Sequence, residues 1–209
     1  MLEFFLKRNK THLSKYNYIK EEGVDKRKTE ILVKGSGNKI LIDGGGTTLI
    51  GCSIFISGNN NVIHVSSGCK LSNVSLYMED DCGRIDIGRD TVISGNTHIA
   101  VIEGKKVTIG ERCLFSSNIT IRTGDSHSIL NMEGLRINPS KDVVIADHVW
   151  IGNTVIILKG TIIHSDSVVA AGSVLAGGEF PGNSIVGGVG GHVLKSEIDW
   201  CERRLPIRI

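Results

Sequence analysis

Ile145, Ile151, Ile157, Ile163, Val169 and Leu175 stand at uniform steps of six residues. A helix buries a stripe that recurs about every 3.6 residues and a half-buried strand one that recurs about every 2, so neither explains the spacing. A step of six held over this length marks a parallel β-helix, in which each hexad forms one flat side of a triangular coil. A second periodic position agrees. Four residues after an aliphatic come Val155, Thr161, Ser167 and Ser173, small or β-branched groups suited to a corner. Three hexads then make one turn.

The spacing recurs upstream. Ile87, Ile93 and Ile99 form one set, with Thr91 and Thr97 at the small position; Ile109, Phe115 and Ile121 form another; Ile50, Ile56 and Val62 form a ragged third. Asn59–Asn61, Gly44–Gly46 and the Ile-Gly pairs at 87–88, 109–110 and 151–152 supply corners, because Gly and Asn tolerate positive φ. The expected architecture is an all-β solenoid over 30–180, slipping near Glu79–Gly83 and Gly104–Lys106. Residues 1–29 carry Lys, Arg and Glu without hexads and read as a basic arm capping the first coil. There Leu2, Phe5 and Leu6 form one stripe of a short helix. Lys7, Arg8 and Lys10 behind it leave a membrane-surface anchor as the alternative. Beyond Pro181 the hexads stop, and 181–209 reads as a strand and short helical cap, with the helix over Ser196–Arg204 ending before Pro206.

Composition narrows the class. A chain of 209 residues suffices for one long core, and 5% aromatics with 26 glycines suit a narrow coil. Net charge of +2 exerts no strong pull on nucleic acid. No apolar run has membrane-spanning length, and Phe4-Phe5-Leu6 is too short for a signal-peptide core. Five cysteines, odd in number and without CxxC spacing, read as free thiols in a reducing compartment, so a cytoplasmic location is expected. Cys113 falls on the small-residue position and is expected to pack in the core.

The repeat breaks at 122–141. A solenoid accommodates an insertion by ejecting it, and long loops on rigid scaffolds concentrate function. This one holds Asp125 and His127. An imidazole suits general-base work near neutral pH, and a nearby carboxylate can orient it, or can instead cap the loop's own turn. Trp150 precedes the inward Ile151, so its indole should face outward, toward a ligand or a partner chain.

The Ile-Gly hexads, the loop Asp125-Ser-His-Ser-Ile129 and the run His148-Val-Trp-Ile-Gly-Asn153 resemble the hexapeptide-repeat acyltransferases. So do Ala170-Ala-Gly-Ser-Val174, Pro181-Gly-Asn-Ser-Ile185 and His192-Val-Leu-Lys195. Within that family the chain is most similar to sugar and polysaccharide O-acetyltransferases, including the galactoside and maltose enzymes, with sialic-acid capsule O-acetyltransferases as a narrower alternative. The resemblance covers nearly everything after residue 30, although 31–85 match only in style. It implies a left-handed coil, a homotrimer, acetyl-CoA as co-substrate in a groove between neighbouring coils, a carbohydrate acceptor and no metal. His127 would be the catalytic base, with Asp125 orienting it. Direct transfer from a thioester needs no acyl-enzyme, and no Gly-x-Ser-x-Gly nucleophile elbow occurs. A backbone N–H near Trp150–Gly152 would stabilise the oxyanion. Trp150, Gly152, Asn153, Ala171 and Gly172 match positions beside the pantetheine arm. His192 and Lys195 match a basic pair at the phosphates, although the family usually has Arg or Lys where His192 stands. His98 matches a position, commonly Asn, that touches the acceptor.

Rival functions remain at this stage. A zinc enzyme of the carbonic-anhydrase type needs three converging histidines; His127, His148, His164 and His192 are available but scattered over hexad phases. A purely structural solenoid needs neither the ejected loop nor an outward Trp150. An amino-sugar N-acetyltransferase would use the same base.

Overall fold

The computed structural model describes residues 9–206, and every regular element among them is a β-strand. Three sheets of eight, eight and nine strands form the sides of a prism, and the chain visits the first, second and third sheet in turn. The coil is a left-handed parallel β-helix, against the right-handed rule that governs ordinary crossovers.

The hexads define the core as expected. Ile109, Ile145 and Ile163 stack in the second sheet; Phe115, Ile151 and Val169 in the third; Ile121, Ile157 and Leu175 in the first. All are buried, as is Cys113. Each fully buried aliphatic contributes about 1.5–3 kcal/mol.

Upstream the period differs. Ile31 pairs with Ile54 and Ile54 with Leu76, so an early turn takes 22 or 23 residues, whereas Ile157 pairs with Leu175 and a late turn takes 18. The longer turns break the six-residue step. The ragged set is accordingly misphased: Ile56 is buried, but Ile50 is 39% exposed and Val62 lies outward, and Leu49 and Ile63 face inward in their place.

Both ends depart from expectation. Lys10–Leu13, Tyr18–Lys20 and Asp25–Arg27 pair in parallel with Glu30–Lys34, Lys39–Ile42 and Thr48–Ile50, so residues 10–27 are a full turn of the coil and not an arm. Their side chains are mostly exposed and show no hexads; Ile19 and Val24 pack partly buried against the core, and backbone pairing with the next turn supplies most of the remaining attachment. The helix expected through Leu2, Phe5 and Leu6 lies outside the described residues. At the other end Ile185–Gly187 still pairs in parallel with Val168–Val169, and His192–Lys195 folds back antiparallel on it. Ser196–Arg204 is not helical. It is an irregular strap fastened by mutual hydrogen bonds between Ile198 and Asn183.

A ladder of asparagines braces one corner. Asn17 Oδ1 accepts from Asn38 N–H, Asn38 Oδ1 from Asn61 N–H, and Asn61 Oδ1 from Gly83 N–H (2.9, 2.9 and 2.7 Å). Asn61 Nδ2 also donates to the Asp80 carbonyl at 2.9 Å. Asn61→Ala strands the Gly83 N–H and the Asp80 carbonyl, and each buried polar group left unpaired costs about 1–3 kcal/mol. Urea unfolding should therefore show a loss of about 2–5 kcal/mol; a loss below about 0.5 kcal/mol would remove the ladder from the account of stability.

Candidate active site

The segment 122–141 leaves the prism between Thr120–Arg122 of the first sheet and Val143–Ile145 of the second. Polar ties fold it onto that corner. The Asp125 carboxylate accepts from the Lys159 ammonium and from Asn138 Nδ2, and Nδ2 also donates to the His127 carbonyl at 2.8 Å. Glu103 pairs with Arg136 at 2.5 Å and accepts from the Ser140 N–H. Lys159 foremost, then Asn138, holds the Asp125 carboxyl below its ordinary value; Arg136 does the same for Glu103. Asp125 thus secures the loop. It does not orient the His127 ring, which is exposed and has no hydrogen-bond partner among the described residues. Further out, Leu130 and Arg136 bridge antiparallel, and Ile129, Leu130, Met132, Leu135 and Ile137 are all exposed.

His98 lies half-buried on the first sheet, in register with Thr120, and its ring is 6.0 Å from that of Tyr77. Burial first, then the nearby Arg122 charge, lowers its pKa, so it is a neutral imidazole at neutral pH.

The other expected residues collect on the third sheet and on its corner with the first. Trp150 faces outward, 41% exposed. The N–H groups of Trp150 and Gly152 donate to the Ser167 and Val169 carbonyls at 2.9 and 2.8 Å. Neither is available for an oxyanion, because stacking between coils already uses it. A Cβ on Gly152 would come within 2.7 Å of the Ala171 nitrogen, so that glycine permits the coils to stack. Asn153 ties its amide to the Ser117 carbonyl and hydroxyl (3.1 and 2.6 Å). Ala171 is exposed, and Gly172, at φ +73°, has nothing within 4 Å of where a Cβ would stand. A cleft of about 310 Å³ runs between Ser94, Leu114, Ser117 and Trp150. His192 and Lys195 are exposed on the outer strand of the same sheet. An open shelf, a cleft beside an indole and nearby basic groups fit a long thioester ending in phosphates, as acetyl-CoA is.

The two groups do not meet in one chain. In a three-sided prism the corner between the first and second sheets is the vertex opposite the third, so His127 and Trp150 lie on opposite sides. Other chemistry is weaker. Burial pushes the Cys113 thiol up to about 11, so it stays protonated and is no nucleophile. Ligand atoms of His148, Asp166 and Asp199 lie within 4.8 Å of one another, but this group holds one histidine, not the three a carbonic-anhydrase site requires. A larger cavity of about 560 Å³, between His164, Glu179 and Asn183, holds none of the expected site residues.

One residue of this face escaped the sequence. Trp200, in the strap, stacks on the His148 ring (centroids 4.2 Å, planes 12° apart), and its Nε1–H donates to the His148 carbonyl at 2.8 Å. It also lies 6.0 Å from the Trp150 ring. His148 is in turn bonded through Nδ1 to Asp166 at 2.9 Å. The strap carries no repeat, so nothing in its spacing marked Trp200.

Residues 142–177 match the family described as bacterial transferase hexapeptide (six repeats). A polysialic acid O-acetyltransferase of Neisseria meningitidis is 34% identical over 133 residues, 63% of this chain and 60% of that protein. A galactoside O-acetyltransferase of Escherichia coli is 33% identical, over 53% of each chain. The chain thus aligns with little more than half the length of these relatives. A crystal structure of a polysialic acid O-acetyltransferase superposes with a TM-score of 0.84 at 27% identity, covering 94% of this chain and 92% of that one.

Trp200 lies outside the matched repeats yet braces Trp150 within them. An aromatic contact of this kind contributes about 0.5–1.5 kcal/mol. Trp200→Ala should weaken coenzyme A binding about 3- to 10-fold by calorimetry and lower the melting temperature by a few degrees, without loss of the fold. Wild-type affinity in that variant would detach the strap from the site.

Proposed function

We propose that this chain, whose residues 142–177 match the hexapeptide-repeat transferases and whose fold superposes on one of their solved structures, is an acetyl-CoA-dependent O-acetyltransferase that acetylates a carbohydrate hydroxyl and works as a homotrimer. The observation that carries this is the division of the site. The loop base lies at the corner of the first and second sheets and His98 on the first sheet, whereas the indole and basic residues lie on the third sheet, with the shelf at its corner with the first. Packed around a threefold axis, the loop side of one copy faces the third sheet of the next, and each groove between copies receives both halves. The apolar hairpin tip, with Met132 fully and Leu135 largely in solvent in a single chain, supplies contact area for that packing. The similarity to O-acetyltransferases of polysialic acid and of galactosides supports a carbohydrate acceptor.

In the groove, a ring nitrogen of His127 takes the proton of the acceptor hydroxyl as that oxygen attacks the thioester carbonyl. The C–S bond then breaks, and the imidazolium returns the proton to the departing sulfur. The products are an acetyl ester and the free thiol, with no covalent enzyme intermediate. With the Trp150 and Gly152 backbone committed, the outward-facing indole of Trp150 offers its N–H to the developing oxyanion. A step that consumes acetyl-CoA belongs where acetyl-CoA is made and thiols stay reduced, so we assign the protein to the cytoplasm.

His127→Ala should lower kcat by about 10²- to 10⁴-fold while coenzyme A binding persists; near-normal turnover would refute the base. Sharing of the site has a separate check. His127→Ala and Trp150→Ala, each inactive alone, should regain activity when co-expressed, because mixed trimers contain grooves with both native residues. Absence of recovery in trimers verified as mixed would place both residues in one chain's site.

A further inference from the structure

Arg122 ends the first-sheet strand from which the ejected loop departs, one rung above the outward Ala100. Its only protein partner among the described residues is the Ser126 hydroxyl, to which Nη2 donates at 2.7 Å. Nε is shielded from solvent and has no partner among the described residues. Among those residues no carboxylate lies within ion-pair distance of Arg122: Asp125, three residues on, is taken by Lys159 and Asn138. An arginine presents five N–H donors in a planar fork that matches a carboxylate, and a half-buried fork with one donor engaged is incomplete. It is held at the acceptor half-site, since Ser126 adjoins His127 and the Arg122 charge is felt at His98.

We propose that Arg122 is a specificity-determining residue that receives the carboxylate of an acidic sugar, so that the acceptor is an anionic glycan and not a neutral glycoside. This rests on the O-acetyltransferase function above and narrows its substrate class. The Ser126 contact holds one edge of the guanidinium through Nη2, and Nη1, which is neither shielded from solvent nor bonded among the described residues, is left for the acceptor. A carboxylate there is fixed by a charge-assisted pair, which sets the sugar ring's orientation relative to the His127 base. A neutral sugar leaves the fork unpaired, and a site built to bond a group discriminates strongly against the analogue that lacks it.

The test is acetyl transfer from acetyl-CoA to two acceptors: a polysialic acid oligomer, and the same oligomer with its carboxylates reduced to alcohols. The wild type should prefer the acidic form by about 10- to 100-fold in kcat/KM, chiefly through KM, and the preference should shrink as salt rises. Arg122→Gln should lose the acidic acceptor by a similar factor while changing turnover of the reduced one less than threefold, so the preference collapses toward unity. Arg122→Lys, which keeps the charge without the fork, should recover part of it. Equal wild-type use of both acceptors would overturn the assignment and leave the transferase reading standing. So would an equal loss on both in Arg122→Gln. A wild type that binds acetyl-CoA yet acetylates neither would instead overturn the carbohydrate acceptor itself. If Arg122→Gln does not fold, the wild-type preference and its salt dependence decide the matter.

Discussion

Hydrogen bonding between stacked coils is the constraint from which the rest follows. Each turn gives its backbone N–H and C=O groups to the turns above and below, so an inner coil has almost none left for a ligand. The Trp150 and Gly152 amides show it directly. Chemistry is therefore left to outward side chains, to the one ejected loop and to the grooves that form where prisms pack side by side.

The loop shows how a rigid scaffold holds an irregular segment. Lys159 and Glu103 stand at the same corner as the loop, on turns above and below it, and reach Asp125 and Arg136 from there. Both carboxylates sit below their ordinary values. The anchorage they contribute is complete above the usual carboxylate range and is lost only as pH falls through the lowered values. His127 is thereby carried on a tethered segment, although its own ring is unsupported within one chain.

What the sequence showed depended on how much of the structure was periodic. From Ile145 to Leu175 each turn has 18 residues and each side one hexad, so core, corners and the outward direction of Trp150 were all legible. In the first turns the coil takes 20 to 23 residues and the step of six loses phase; Ile50 and Val62 were misplaced for that reason. Residues 10–27 form a turn with little apolar alternation, since this end coil is held mainly by backbone pairing, with Ile19 and Val24 packed against the core. The loop announced itself by interruption, yet Asp125 beside His127 in sequence proved to bond Lys159, which is distant in sequence and close in space. Arg122 and Trp200 were invisible because their importance comes from what surrounds them: an empty ion-pair position for one, a stack on His148 for the other.

The pairing of the strap with the third sheet has a further consequence. Trp150 and Trp200 are the chain's two tryptophans, and they sit 6.0 Å apart on one face. All indole emission of this protein therefore originates at a single place, with the His148 ring against one of the two emitters. Tryptophan fluorescence, which in most proteins averages over scattered indoles, here observes the proposed coenzyme face alone. The molecule carries its own optical label where ligand arrival and subunit contact would first be felt.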